Sequence, residues 1–290
     1  PEALAEWRGY YDRALTGEQF SVEVATRFAH PPCLVEYRVS PIRAEDGTIT
    51  GVAVFGRDIT ARKRSEELIQ AQRDVARLIG SGMARTEAWQ VCLDAARRVS
   101  GMDCGLIHVF NGDDGTLELV CSYGLDDAYM RGMARVAHDD PSVQIVLTGK
   151  AHYFGAEMTR AMQPDHGELH SIAIVPIRYQ GETIGTLSVG SRTQTEIARH
   201  VRQALETIAV EVGNFAVYLR TQDALRASEE KYRSLVEASE GAIVVVDGDG
   251  RIFYANAQAA ALAGGTAEGI SGKLMHEVEP QATADAYLVQ

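Results

Sequence analysis

The sequence predicts an α+β chain of small antiparallel sheets joined by long helices, and three patterns carry this reading. Near the start, Phe20, Val22, Val24 and Phe28 alternate with polar neighbours, as do Val35, Tyr37 and Val39, the two-residue period of half-buried strands. In the middle, Trp89, Cys92, Leu93, Ala96 and Val99 share one stripe of a helix from Thr86 to Ser100, closed by Gly101. Later, Ile208, Val212, Phe215, Leu219 and Gln222 recur at alternating four- and three-residue steps within a helix expected from about Thr195 to Ala238.

In chain order, the first fifty-odd residues read as three antiparallel strands. Their turns fall at Ala29-His30-Pro31-Pro32 and Ala44 to Gly47, and the third strand spans Thr48 to Phe55. Asp58 or Thr60 is placed to cap the helix that follows through Leu68, Ile69 and Val75. After the helix at Thr86 come strands Cys104 to Phe110 and Thr116 to Tyr123, then short helices around Asp126 to Arg135 and Ser142 to Thr148. A second hairpin, Ser171 to Tyr179 and Thr183 to Ser191, turns at Gln180-Gly181-Glu182. Near the other end, Ala242 to Val246 and Arg251 to Asn256 flank Asp247-Gly248-Asp249-Gly250.

With 290 residues, more than one core is expected. The apolar share of 46% and charged share of 23% are those of ordinary globular proteins, and no stretch approaches the 18 or so apolar residues of a membrane span. A net charge of −12 argues against nucleic-acid binding, which needs a basic face. Cys33, Cys92, Cys104 and Cys121 form no CxxC pair, and free thiols suit a reducing cytoplasm. The opening Pro1 and the lack of a leader pattern lead to the expectation of a segment cut from a longer protein.

Two short grammars are more specific. Pro41-Ile42-Arg43, Asp46-Gly47, Gly51 and the exit Asp58-Ile59-Thr60 resemble the C-terminal half of a PAS domain, in which the Asp-Ile-Thr phrase joins the last strand to an output helix. Tyr232 to Glu237, the apolar strand, Asp247 to Gly250 and then Asn256 resemble the opening of another, with Asn256 at the family's helix-starting Asn. Between them, Ser171-Ile172-Ala173-Ile174-Val175-Pro176-Ile177 and Gly181-Glu182-Thr183-Ile184-Gly185-Thr186-Leu187 resemble the last strands of a GAF domain. The resemblance implies a PAS half at 1–60, a linker helix at 58–80, a GAF domain at 66–219, a signalling helix at 195–238 and a second PAS half at 230–290.

Candidate site residues are few. His108 alternates with Leu106 and Phe110 on a strand whose one face would meet a ligand pocket in a GAF domain. It reads either as a hydrogen-bonded core histidine or as a haem ligand or small-ligand partner. His170 is a second ligand candidate, and its i, i+4 spacing from His166 would make a metal face only on a helix, so no metal site is expected. Asp247 to Gly250 lacks the closing Glu of a calcium loop and reads as a turn, and His276 reads as solvated. Gly190 to Glu196 departs from the Asn-Lys-Phe-Asp-Glu set of cyclic-nucleotide-binding GAF domains, and Ala161 to His170 has no Cys for a bilin, so no covalent cofactor is expected and any other is unknown. No catalytic set, phosphoacceptor His motif or nucleotide loop can be assembled within the chain.

These features imply a sensing and relay region, as in bacterial or archaeal sensor histidine kinases. It would bind a small molecule or a partner and signal to an output domain through a homodimeric coiled-coil linker. That linker would be roughly 65 Å long, with Leu225, Tyr232 and Val236 resuming the stripe after a phase slip. The rivals are the sensor region of a cyclic-dinucleotide synthase or phosphodiesterase, and a ligand-free dimerisation module.

Overall fold

A computed structural model of the chain describes residues 2–26, 33–112, 114–162 and 169–278. The expected turn at Ala29 to Pro32, and His166, lie outside them. The chain divides into two compact units, Pro1–Ala216 and Val217–Gln290.

The first unit opens with a helix the strand pattern did not anticipate, α1 (Glu2–Leu15). Trp7, Tyr10 and Ala14 share its inner face. Trp7 meets the Tyr37 ring edge-on at 4.8 Å, and Tyr10 meets Phe20 at 6.0 Å. The antiparallel sheet beneath it is β1 (Phe20–Thr26), β2 (Cys33–Arg43) and β3 (Ile49–Asp58), in that spatial order. Gly56 pairs with Tyr37, and a Cβ there would stand 2.8 Å from the Tyr37 ring, so the aromatic lies flat over bare backbone.

The exit from β3 into α2 (Thr60–Ala76) corrects the capping expectation. The N-cap is Ile59, with no side-chain cap bond. Asp58 Oδ1 instead accepts from the Thr60 amide at 2.8 Å, and Thr60 Oγ1 accepts from the Leu34 amide at 2.8 Å. Ile59, 3% exposed, donates its own amide to the Leu34 carbonyl. The Asp-Ile-Thr phrase thus buries one side chain and ties the helix start to β2. The hydroxyl and amide of Thr60 hold the Asp58 carboxyl below the usual range.

Next come α3 (Arg85–Ser100), β4 (Cys104–Phe110), β5 (Leu117–Tyr123), α4 (Asp127–Met133), β6 (Arg135–Val136), α5 (Pro141–Leu147), β7 (His152–Phe154), α6 (Ala156–Met162), β8 (Ser171–Tyr179), β9 (Glu182–Ser191) and α7 (Arg199–Glu237). The six strands form one antiparallel sheet in the order β6-β5-β4-β9-β8-β7. Helix α3 ends where Gly101 takes a left-handed φ of 65°. The β8–β9 turn places Gln180 and Gly181 at φ 49° and 92°, a two-residue hairpin of the primed kind.

Alternation along the strands gives the sheet two apolar faces. Ile107, Ala173, Val175, Ile177 and Leu187 are buried on the face that α3 and α7 cover. The other face carries His108, Ile172, Ile174, Thr186 and Ser188 beneath α4 and α5. Helix α7 starts at Arg199, four residues later than expected. Its Ile208, Val212 and Phe215 are fully buried in this unit, with Phe215 against Trp89 at 5.2 Å. That half of the periodic stripe is therefore core and cannot serve as a seam to a second chain.

In the second unit a short hairpin, β10 (Val244–Val246) and β11 (Ile252–Ala255), leads to α8 (Ala257–Leu262), α9 (Ala267–Ile270) and α10 (Met275–Val278). Its core is Ile252, Ala255, Ala259, Ala260 and Ile270.

One close approach fixes α7 on the sheet: a Cβ at Gly213 would lie 2.5 Å from the Arg178 carbonyl oxygen. Gly to Ala inside an ordinary helix gains about 1 kcal/mol. Here Gly213→Ala is expected to lose about 1–3 kcal/mol by forcing the helix off β8. Denaturant unfolding measures it, and a stabilised variant would contradict the packing described.

Candidate functional site

The cavity face of the sheet and the helices over it border a half-open cavity of about 120 Å³. Its walls include Leu106, Met133, Phe154 and Ile174, with His108, Tyr129, Thr186 and Ser188 among its polar residues. The volume is that of one small ring compound and well below the roughly 300 Å³ at which drug-sized pockets begin.

His108 is 2% exposed. Its Nε2 lies 2.7 Å from the Met133 carbonyl oxygen. A carbonyl only accepts, so Nε2 carries the proton and Nδ1 is left as an acceptor, with no hydrogen-bond partner among the described residues. Burial lowers the ring's pKa, with the Met133 bond opposing in part, so the imidazole is neutral at pH 7. Next to it on β9, Thr186 Oγ1 donates to the Val175 carbonyl at 3.3 Å, while the Ser188 hydroxyl has no partner among the described residues.

The other expected residues lie apart from this cavity. His170 precedes β8, donates its amide to the Ser191 carbonyl at 2.7 Å and lines no part of the cavity. Asp58, Ile59 and Thr60 form the β3–α2 joint described above. Asn256, fully buried, caps α8 and uses its whole amide group: Oδ1 accepts from Ala259 and Ile243, and Nδ2 donates to the Val236 and Gly241 carbonyls. Asp247 accepts from the Asp249 and Arg251 amides and so holds a hairpin turn. His276 is exposed on α10.

Around Gly190 to Glu196, several polar groups are already engaged. The Asp103 carboxylate accepts from the Arg192 amide at 2.6 Å and Ser191 Oγ at 2.8 Å, and these bonds hold its pKa low. Ser191 Oγ in turn accepts from the Thr193 and Gln194 amides. All four cysteines are free. Burial pushes the Cys121 thiol up to about 12, and the Cys92 and Cys104 thiols are also raised, which makes them poor nucleophiles.

Sequence reasoning missed β7. Phe154 lines the cavity, while its neighbour Tyr153 donates its hydroxyl to Glu206 Oε1 on α7 at 2.6 Å. The Arg202 guanidinium sits 4.8 Å from the centre of the Tyr153 ring. Burial, then the Glu206 bond, raise the Tyr153 pKa, so the phenol stays a donor. A strand of three residues has no legible alternation. The one available signal was an aromatic pair, Tyr153-Phe154, between breakers.

Among the described residues, no helix is long and apolar enough to cross a membrane, and no cluster of three potential metal ligands occurs. The GAF domain profile matches residues 84–215, and PAS fold profiles match residues 1–64 and 230–289. GAF and PAS domains are sensory modules. No curated protein matches the chain by sequence. Among solved structures, it is similar to the GAF domain of a phosphoenolpyruvate-protein phosphotransferase from Coxiella burnetii, at 16% identity and TM-score 0.47, over 55% of this chain and 98% of that one. A domain assigned to a two-component sensor histidine kinase of Sinorhizobium meliloti gives 20% and 0.40, over 50% and 99%. The chromophore-binding domain of a bacteriophytochrome from R. palustris gives 13% and 0.44, over 75% and 81%.

The neutral, buried His108 makes stability pH-dependent. Unfolded histidine takes up a proton below about pH 6.5, the folded ring only at lower pH, so in that window the unfolded state holds more protons. Stability is complete above pH 6.5 and falls on acidification by up to about 1.4 kcal/mol per pH unit. His200, whose pKa burial also lowers, adds the same slope to any variant at position 108. His108→Gln, which keeps a donor for Met133, is expected to flatten the decline in unfolding free energy between pH 7 and 5. Equal slopes in the two proteins would show that His108 is not held neutral.

Proposed function

We propose that this chain, a PAS fold, a GAF domain and a second PAS fold in series, is the sensory and relay region of a multidomain signal-transduction protein, and that its parent is a two-component sensor histidine kinase. The observation that supports a relay is the Tyr153 to Glu206 bond. Adjacent residues of β7 point to opposite faces, so Phe154 reads the cavity while Tyr153 holds α7. A change in cavity occupancy shifts β7, and the shift reaches α7 through one short hydrogen bond and the stacked Arg202.

The onward carrier in this reading is the later part of α7, acting in a cytoplasmic homodimer. Leu225, Tyr232 and Leu235 are 53%, 67% and 61% exposed, and with Ser228 they fall at three-four-three steps, the spacing of a two-helix seam. The dimer contact is thus confined to residues beyond those that Ile208, Val212 and Phe215 commit to the core.

Amide hydrogen exchange tests the relay in the whole chain. Tyr153→Phe removes one hydroxyl and is expected to speed exchange in the first turns of α7, near 202–209, about tenfold, with a smaller effect elsewhere. Unchanged α7 protection would overturn the relay, and sedimentation of the chain as a monomer at high concentration would overturn the dimer.

A further inference from the structure

We propose that the cavity takes a small, uncharged ring compound bearing a hydroxyl group, a phenol-like molecule. Its hydroxyl donates to His108 Nδ1 and accepts from the Ser188 hydroxyl. The inference rests on the sensing role proposed above and adds the ligand's chemical class.

Charge and size narrow the class first. No Asp, Glu, Lys or Arg lines the cavity among the described residues, so a charged ligand would lose its hydration without compensation. About 120 Å³ admits one six-membered ring; a cavity of roughly 150 Å³ walled by aliphatic and aromatic side chains holds benzene.

Polar groups narrow it further. His108 and the half-buried Ser188 both line this cavity, and neither His108 Nδ1 nor the Ser188 hydroxyl has a hydrogen-bond partner among the described residues. His108 is 2% exposed, and of its ring nitrogens only Nε2 is hydrogen-bonded among the described residues. His108 pairs with Thr186, and Leu106 with Ser188, so His108 and Ser188 are diagonal neighbours on adjacent strands. Such positions are roughly 7–8 Å apart at the backbone, a span that one hydroxyl between their side chains bridges by accepting from one and donating to the other. A single water would satisfy the same two groups. At about 30 Å³ it would leave the apolar remainder of the cavity, against Phe154 and Ile174, unfilled. A ring attached to the hydroxyl fills it.

Titration of the full chain with phenol, benzene and benzoate, followed by calorimetry and melting temperature, tests the class. Phenol is expected to bind and to raise the melting temperature saturably. Benzene is expected to bind about fivefold to tenfold more weakly for want of the hydroxyl, and benzoate not at all. His108→Leu and Ser188→Ala should each weaken phenol toward the affinity of benzene while leaving benzene unchanged. Ser188→Ala leaves the Met133 bond intact, so it reads the contact even if His108→Leu does not fold. Benzoate binding as tightly as phenol, phenol and benzene binding alike, phenol affinity untouched by Ser188→Ala, or binding of none of the three would each overturn the proposal. The relay is scored separately, because the Tyr153→Phe exchange experiment needs no ligand.

Discussion

The carbonyl of Arg178 lies so close to α7 that position 213 has no room for a Cβ atom. This contact seats a long helix directly on the backbone of β8. It brings Phe215 onto Trp89, and it sets Val212 and Ile208 into the same core as Ile107, Val175 and Leu187. Close packing of that kind transmits displacement, because a filled interior has no slack in which a shift can be absorbed. Glycine in a helix interior is otherwise unfavourable, so its presence here marks the crossing as a geometric requirement.

The sheet beneath that helix works on two faces. Odd-numbered residues of β8 support α7, while the even-numbered Ile172 and Ile174 wall the cavity. The same backbone therefore belongs to the cavity wall and to the helix seat. At the sheet edge β7 adds a polar link, where Tyr153 and Arg202 hold an aromatic ring against the first turns of α7. Farther along the chain, Asn256 and Glu237 perform a comparable task in the second unit. There the Val236 carbonyl accepts from Asn256, and Glu237 accepts from Tyr254 and from the Ala257 amide, so the end of α7 is bound to the hairpin that follows it.

Much of this was legible in the residues. The α3 stripe, the β8–β9 hairpin and Asn256 at the start of α8 carry strong local signals, because periodicity, turn chemistry and capping act within a few residues. His108 stood out as a polar residue on an apolar strand, and its burial follows from that alternation. What was not legible depends on distant partners. Helix α1 has an aromatic face that acquires its meaning only against Tyr37 and Phe20. The stripe Ile208, Val212 and Phe215 has the period of a coiled coil, but a helix packed on its own domain has nearly the same period. Only the position of Trp89 decides between them. Glu206 and Ser188 carry no local signal, and Tyr153 only its place in an aromatic pair, since each acquires its role from a residue distant in sequence.

The central claim is that the cavity wall and α7 are coupled through Tyr153. A mutant cycle read by amide exchange tests it most directly. Phe154→Ala is made in the native chain and in the Tyr153→Phe chain, and protection near residues 202–209 is measured in all four proteins. The account predicts that Phe154→Ala alters α7 protection several-fold when Tyr153 is present and changes it little when the hydroxyl is gone. An equal response in both backgrounds would mean that the wall and the helix communicate by another route, or not at all.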